Sequence, residues 1–272
     1  MSNNLLKGKK GIIFGALNSN SIAWKVAERA HEEGAEFILT NAPIALRMGE
    51  LNELAKNTNS DVVPADVTSL EDLENLFNKA QEKFGKIDFI LHSIGMSINV
   101  RKKIHYTEAN YDFYAKAMDI SAISFHKVMK VAKEKDIMNE WGSILALSFI
   151  AAQVSIPGYN DMSDAKALLE SIARTFGYYY GVDKKVRVNT ISQSPTKTTA
   201  GAGIKGFDSL YNFADYNSPL GNAPTLDCAN YCIAMFSDLT KYVTMQNLYH
   251  DGGFSSTGVS DRTMDKFEKG FQ

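Results

Sequence analysis

The sequence predicts an α/β fold: a single doubly wound domain, with a seven-stranded parallel sheet and helices on both faces. Short apolar runs alternate with amphipathic stretches of helical length, the pattern of successive βαβ units. Several of those runs are too continuously apolar for a strand wetted on one face and fit strands covered on both. Nothing in the 272 residues interrupts the series: there is no internal repeat or low-complexity linker, and the 6 prolines do not cluster. A chain of this length can bury a core without metal or disulfide staples, so residues 1–272 are expected to form one domain.

Strands are expected at 11–14 (Gly-Ile-Ile-Phe), 37–39, 62–63, 87–91, 144–149, 186–191 and 243–249. Between the first two, residues 22–33 place Ile22, Val26, Ala27 and Ala30 on one stripe against Lys25, Glu28, Arg29 and Glu32. Residues 70–84 follow Ser69, with Asp72 three positions on in a capping-box-like start, and bury Leu73, Leu76, Phe77 and Ala80. Helices are also expected over 110–133, 160–180 and 225–236. The polar end, 261–272, reads as a loose tail.

Composition excludes several functions. Lys+Arg 29 against Asp+Glu 31 gives a net charge of −2, which argues against a nucleic-acid partner held by counterion release. No 18-residue apolar run is present, so no membrane span is expected. The start, Met-Ser-Asn-Asn-Leu-Leu-Lys, lacks a signal-peptide pattern, and a cytoplasmic location is expected. Cys228 and Cys232 read as small buried hydrophobes. His31, His92, His105, His126 and His250 form no ligand-spaced pair, so no metal is expected; His92 reads as a structural histidine. A Gly-x-Ser-x-Gly elbow is absent, which disfavours a hydrolase.

Candidate site residues fall where a doubly wound sheet binds ligands, beyond the carboxyl ends of its strands. Gly15 ends the first strand, and Ser21 or Asn20 can cap the following helix, whose free N–H groups favour a pyrophosphate. The later glycines of Gly-x-Gly-x-x-Gly are missing, so an ordinary βα turn fits as well. Asp66-Val67 follows the third strand and reads equally as an adenine contact or as a turn before Ser69. Ser93-Ile94-Gly95 leaves room for a flat ring, or simply ends a strand. After Pro157-Gly158, a helix starting near Asn160 would bring Lys166 almost under Tyr159, seven residues apart. A neighbouring ammonium favours the ionised phenol and strengthens its hydrogen bonding; a packed tyrosine with a snorkelling lysine is the alternative.

Together these residues resemble the short-chain dehydrogenase/reductase superfamily, in its divergent branch of bacterial enoyl-acyl-carrier-protein reductases. The resemblance rests on Gly15 with Ser21-Ile22-Ala23, Asp66-Val67, His92-Ser93-Ile94-Gly95, and Tyr159 with Lys166. It continues through Arg187-Val188-Asn189, Ser192, Pro195, Thr198 and Asp251-Gly252-Gly253. The seven-residue Tyr–Lys spacing is its sharpest signal, since most of the superfamily spaces the pair four apart.

The resemblance implies a Rossmann fold that binds NADH, with NADPH the less favoured cofactor, and an acyl-carrier-protein-bound trans-2-enoyl substrate. By similarity, Gly15, Ser21 and Ile22 line the pyrophosphate, Ala42 meets the adenosine ribose, and Asp66 and Val67 hold the adenine. Ser93, Ile94 and Gly95 flank the nicotinamide-side ribose, which Lys166 also contacts. Thr196, Lys197, Thr198, Thr199 and Ala200 meet the nicotinamide carboxamide and phosphates. Tyr159 hydrogen-bonds the enolate, and Ser97 lies where the acyl substrate approaches.

Phe149 occupies the family's second-tyrosine position without its hydroxyl, so reduced or substrate-shifted turnover is expected. Residues 197–216 suggest a substrate lid, with Ile204, Phe207, Leu210 and Tyr211 able to wall an acyl tunnel. Lys205 and the run Arg101-Lys102-Lys103 read as a face for an acidic carrier protein or as a solvated surface. The family implies a homotetramer. A carbonyl-reducing relative, and a catalytically weak nucleotide-binding homologue because of Phe149, remain alternatives.

Overall fold

A computed structural model describes residues 3–47, 50–198, 201 and 206–270. The first half runs β1 (Lys10–Phe14), α1 (Ile22–Glu32), β2 (Glu36–Thr40), α2 (Pro43–Leu46), α3 (Leu51–Asn57), β3 (Asp61–Val62), α4 (Leu70–Phe84) and β4 (Ile87–His92). Next come α5 (Ile98–Arg101) and α6 (Tyr111–Met118), which passes through a π turn, Asp119–Ile123, into α7 (Ser124–Glu134). The chain closes with β5 (Met138–Ser148), α8 (Asp161–Lys184), β6 (Arg187–Gln193), α9 (Phe207–Asn217), α10 (Thr225–Phe236), β7 (Asn247–His250) and α11 (Asp261–Lys269).

Among the described residues, seven strands form one sheet in the order β3-β2-β1-β4-β5-β6-β7. All pairings are parallel, and Phe14 stands opposite both Thr40 and His92. Alternate residues of β1 feed opposite cores. Ile12 and Phe14 pack with Leu73, Leu76 and Phe77 of α4 and Phe125 and Val128 of α7. Ile13 packs with Trp24, Val26 and Ala27 of α1 and Cys228, Cys232 and Phe236 of α10. This two-sided burial explains why the runs at 11–14 and 87–91 carry so few polar residues. Both cysteines are free and buried. Strand order reverses between β1 and β4, which opens a crevice at their carboxyl ends.

Two expectations need correction, and a third gains a local detail. The last strand begins at Asn247 rather than at residue 243. Before it, backbone and side chains share the pairing: Met245 N donates to Val188 O at 2.8 Å and Thr190 N to Gln246 O at 2.9 Å, while Val188 N donates to Thr244 Oγ1 at 3.1 Å, Asn189 Nδ2 to Val243 O at 2.8 Å, and Gln246 N to Asn189 Oδ1 at 3.0 Å. The helix expected over 110–133 is present without a gap from Tyr111 to Glu134 but widens into the π turn, where Ser121 Oγ accepts from Met96 N at 2.9 Å and donates to Met96 O at 3.1 Å. That bond pair clamps the chain just past β4. Lastly, the segment beginning at Asp261 is the helix α11 rather than a loose tail. Ser260 caps it by accepting from Thr263 N at 3.2 Å, Arg262 reaches Ser218 O at 2.5 Å, and Lys266 Nζ lies 4.2 Å over the Tyr216 ring.

Candidate active site

Gly15 sets the first loop. Its φ is +93°, and a Cβ there would stand 2.0 Å from Ser93 O, so the exits of β1 and β4 approach as closely as only glycine permits. Ser21 occupies the helix N-cap position without capping it. Its hydroxyl turns back into the loop, accepting from Leu17 N at 3.1 Å and Asn18 N at 3.0 Å and donating to Asn18 O at 2.6 Å. The expected side-chain cap is therefore corrected. The first turn of α1 holds no acidic residue, and its N–H groups and positive dipole end suit an anion.

Asn41 joins the next strand exit to that loop, donating to Ala16 O at 2.9 Å and accepting from Ala42 N at 2.8 Å. Ala42 is half-buried. Asp66 makes the turn anticipated as its alternative role: Oδ1 accepts from Thr68 N at 2.9 Å and Thr68 Oγ1 at 2.7 Å. Val67 is buried in the α4-side core. Ser93 N donates to Phe14 O at 3.3 Å, and Ile94 packs against the same core as Val67.

Lys166 is buried on α8, and its Nζ donates to Leu147 O at 2.7 Å. A Cβ added at Gly95 would lie 3.8 Å from that nitrogen, so the ammonium stands at the exits of β4 and β5. Burial pulls its pKa down to about 8, against the opposing pull of the Glu170 carboxylate. Glu170, one turn along α8, accepts from Ser148 Oγ at 2.6 Å and Gln153 Nε2 at 2.9 Å. Lys166 and Glu170 thus grip successive residues, Leu147 and Ser148.

Tyr159 lies one residue before the N-cap of α8, not on the helix. Asn160 intervenes with φ 52° and ψ −138°, so the helical count from Tyr159 to Lys166 does not apply. The Tyr159 ring packs 5.0 Å from the Phe149 ring at 53°, in a cluster with Ile150, Ala151, Ile156, Leu210 and Phe254. Burial pushes its pKa well above the ordinary 10, and Lys166 does not offset the rise. The expected ammonium-assisted lowering is corrected, since that ammonium is turned onto the Leu147 carbonyl. The hydroxyl is a neutral donor, and no described residue hydrogen-bonds it.

Ser97 is buried at the N-cap of α5, accepting from Val100 N at 3.0 Å and donating to Asp161 Oδ1 at 2.5 Å. Its hydroxyl is occupied within the protein. Asp161 also accepts from Asn99 Nδ2 at 2.8 Å, and Asn160 Nδ2 donates to Ile104 O at 2.6 Å. This polar staple beside Tyr159, like Glu170, escaped sequence reasoning; its only signal was an Asn-Asp pair opening a buried helix. After β6, Thr196 Oγ1 donates to Ser194 O at 2.9 Å, Thr198 N donates to Thr196 O at 2.8 Å, and Lys197 Nζ stands 4.6 Å over the Tyr211 ring. Thr199, Ala200, Ile204 and Lys205 lie outside the described residues.

His92 is buried and paired through Nε2 with Ser124 Oγ at 2.9 Å. Ser124 spends its own hydrogen on Ile120 O at 2.7 Å, so Nε2 donates and Nδ1 carries the lone pair. Burial takes the pKa down to about 3, with the Lys166 charge adding to it. The ring stays neutral, as a structural histidine. Among the described residues, no helix is long and apolar enough to cross a membrane.

The family described as Enoyl-(Acyl carrier protein) reductase matches residues 15–255. A relative from Rhizobium meliloti (strain 1021), enoyl-[acyl-carrier-protein] reductase [NADH] 2, is 36% identical over 259 residues, covering 94% of this chain and 95% of its own. The solved FabI–NADH complex from Alistipes finegoldii is 65% identical with a TM-score of 0.96, covering 98% of this chain and 95% of its own. A second FabI structure from that organism is 62% identical with a TM-score of 0.93, covering 99% of each chain.

Proposed function

The chain belongs to the enoyl-acyl-carrier-protein reductase family, and from that premise we propose which of its atoms carry the reaction. The protein is an oxidoreductase of fatty acid biosynthesis that reduces the trans-2 double bond of an enoyl thioester, with NADH as cofactor. The residues present fit that cofactor. A loop only glycine can form leads to an uncapped helix N-terminus, and the Lys166 ammonium stands beside Gly95. When bound, NADH supplies the hydride that reaches the substrate's β-carbon.

The chain's own residues handle the charge. As electron density moves onto the thioester oxygen, the neutral Tyr159 hydroxyl donates to it; a donor poised in a dry pocket gains strength as charge develops. Phe149 packs against the Tyr159 ring, and Leu210 joins the same apolar cluster. Lys166 hydrogen-bonds the nicotinamide-side ribose and keeps a positive charge near the forming enolate. Gly15, Ser21 and Ile22 seat the pyrophosphate, Ala42 the adenosine ribose, and Asp66 and Val67 the adenine. Ser93, Ile94 and Gly95, with Thr196, Lys197 and Thr198, take the nicotinamide end.

The substrate lid expected over 197–216 falls partly outside the described residues; its described part, α9, supports the reading through Leu210, which packs against the Phe149-Ile150-Ala151 cluster that also holds Tyr159. The enzyme works in the cytoplasm as a homotetramer; exposed Tyr178, Tyr179 and Val182 on α8 offer an apolar face for pairing, and light scattering should return four chain masses. The observation that carries the catalytic reading is Lys166 at the exits of β4 and β5, seven residues from a partnerless phenol. NADH consumption should be fast with crotonyl thioester and negligible with acetoacetyl thioester; the reverse preference would make the enzyme a carbonyl reductase.

Two further outcomes follow from the site. Phe149→Tyr places a second hydroxyl beside Tyr159, and turnover of long-chain enoyl thioesters should rise; an unchanged rate would remove any role for a hydroxyl there. For Lys166, the ammonium is present below about 8 and lost above it. NADH affinity should therefore weaken as pH rises through that value, and the limb should vanish in Lys166→Met. Stability runs the other way. An unfolded lysine near 10.5 keeps its proton longer, so between those values the unfolded state binds more protons and folding gains from raising the pH. Fluorescence titration of NADH and urea melts across this range measure the two trends.

A further inference from the structure

We propose that Arg101, Lys102 and Lys103 form the docking surface for the acidic body of the acyl-carrier protein that presents the substrate; this rests on the enoyl-reductase reading above. The three side chains are exposed, and none makes an ion pair among the described residues. Three basic side chains follow one another directly in the sequence, and the exposed stretch they form carries concentrated positive charge. Lys102 Nζ lies 4.8 Å over the Phe113 ring, and Lys103 adopts φ 56° to turn the chain.

The triad is also fixed beside the reacting centre. Upstream, Ser97 and Asn99 bind the Asp161 carboxylate at 2.5 and 2.8 Å. Downstream, Ile104 O accepts from Asn160 Nδ2 at 2.6 Å, and Tyr106 donates to Asp164 at 3.2 Å. Asn160 and Asp161 directly follow Tyr159, so four side-chain bonds hold the basic turn against the rim from which Tyr159 faces the substrate. A carrier whose acyl arm reaches Tyr159 must seat its body at such a rim, and opposite charge there speeds encounter and orients the partner. Glu108 and Asp112 are the exposed acids on the same segment; they follow the triad in sequence and form no ion pair with it.

The test compares an enoyl thioester on acyl-carrier protein with the same acyl group on neutral N-acetylcysteamine, which avoids the phosphates of coenzyme A. In Arg101→Gln/Lys102→Gln/Lys103→Gln, KM for the carrier substrate should rise about tenfold or more, with kcat held and the small thioester unaffected. A carrier KM within about twofold of wild type overturns the proposal. Wild-type enzyme supplies an independent check. Its carrier KM should climb from about 0.02 to about 0.2 M salt while the neutral thioester's stays level, because screening acts on the exposed charges; a salt-indifferent carrier KM also overturns it. Should wild type reduce neither substrate, the enzymatic reading fails instead, and the two failures are distinct.

Discussion

Replacing Tyr159 with Phe should lower kcat on enoyl thioesters by about 10²–10³-fold, the cost of removing one donor from a developing oxyanion. The structure makes this variant unusually clean. No described residue hydrogen-bonds the hydroxyl, so its removal strands no internal partner. The ring keeps its contact with Phe149 at 5.0 Å and its place among Ile150, Ile156 and Leu210. NADH affinity and the melting temperature should therefore stay near wild type. Burial already holds the phenol neutral at any working pH, so the loss should be the same at pH 6 and pH 8 to within about twofold. Stopped-flow decay of NADH absorbance measures it. An undiminished rate would mean that Tyr159 only packs and that another group meets the enolate.

How much of this was legible beforehand depended on where side chains overrule local pattern. Ile12, Ile13 and Phe14 read as a buried strand because both faces are covered, and β4 read the same way through Phe89, Ile90 and Leu91. Such runs are set by burial, which composition reports directly. The stretch 243–246 carried an equally strand-like pattern, yet Asn189 and Thr244 side chains interrupt the regular ladder, leaving backbone bonds only at Met245 and Gln246. Pairing of that kind depends on a residue more than fifty positions away and leaves no local trace. The Tyr159–Lys166 pair was visible as a spacing, but its geometry was not. Asn160 at φ 52° lifts Tyr159 out of the helix, and the buried Asp161 carboxylate that stabilises the turn finds its partners on α5. The terminal helix α11 was missed for another reason. It buries no residue; the sequence does carry an amphipathic stripe, Met264 and Phe267 three apart after Ser260, but the surrounding polar composition reads as a tail, and the helix is held by a cap, an arginine on Ser218 and a lysine on Tyr216.

Gly15→Ala should damage fold and cofactor binding together, and a second glycine separates the causes. Alanine at φ +93° carries backbone strain of about 1–3 kcal/mol. Its methyl would also stand 2.0 Å from Ser93 O, a backbone atom that cannot swing aside. The loops after β1 and β4 must part, which shifts Ile94 and Gly95 and moves Gly95 away from Lys166. NADH Kd should weaken by about tenfold or more, because seating a dinucleotide across the crevice needs both loops at once. Gly8 is the control: its φ is +76°, but a Cβ there would meet nothing within 4 Å. Gly8→Ala should therefore lower the melting temperature by the strain alone and leave NADH affinity intact. If the Gly15 variant bound NADH as tightly as the Gly8 variant, the close approach to Ser93 would be a folding constraint only. The pyrophosphate would then need a seat other than the first turn of α1.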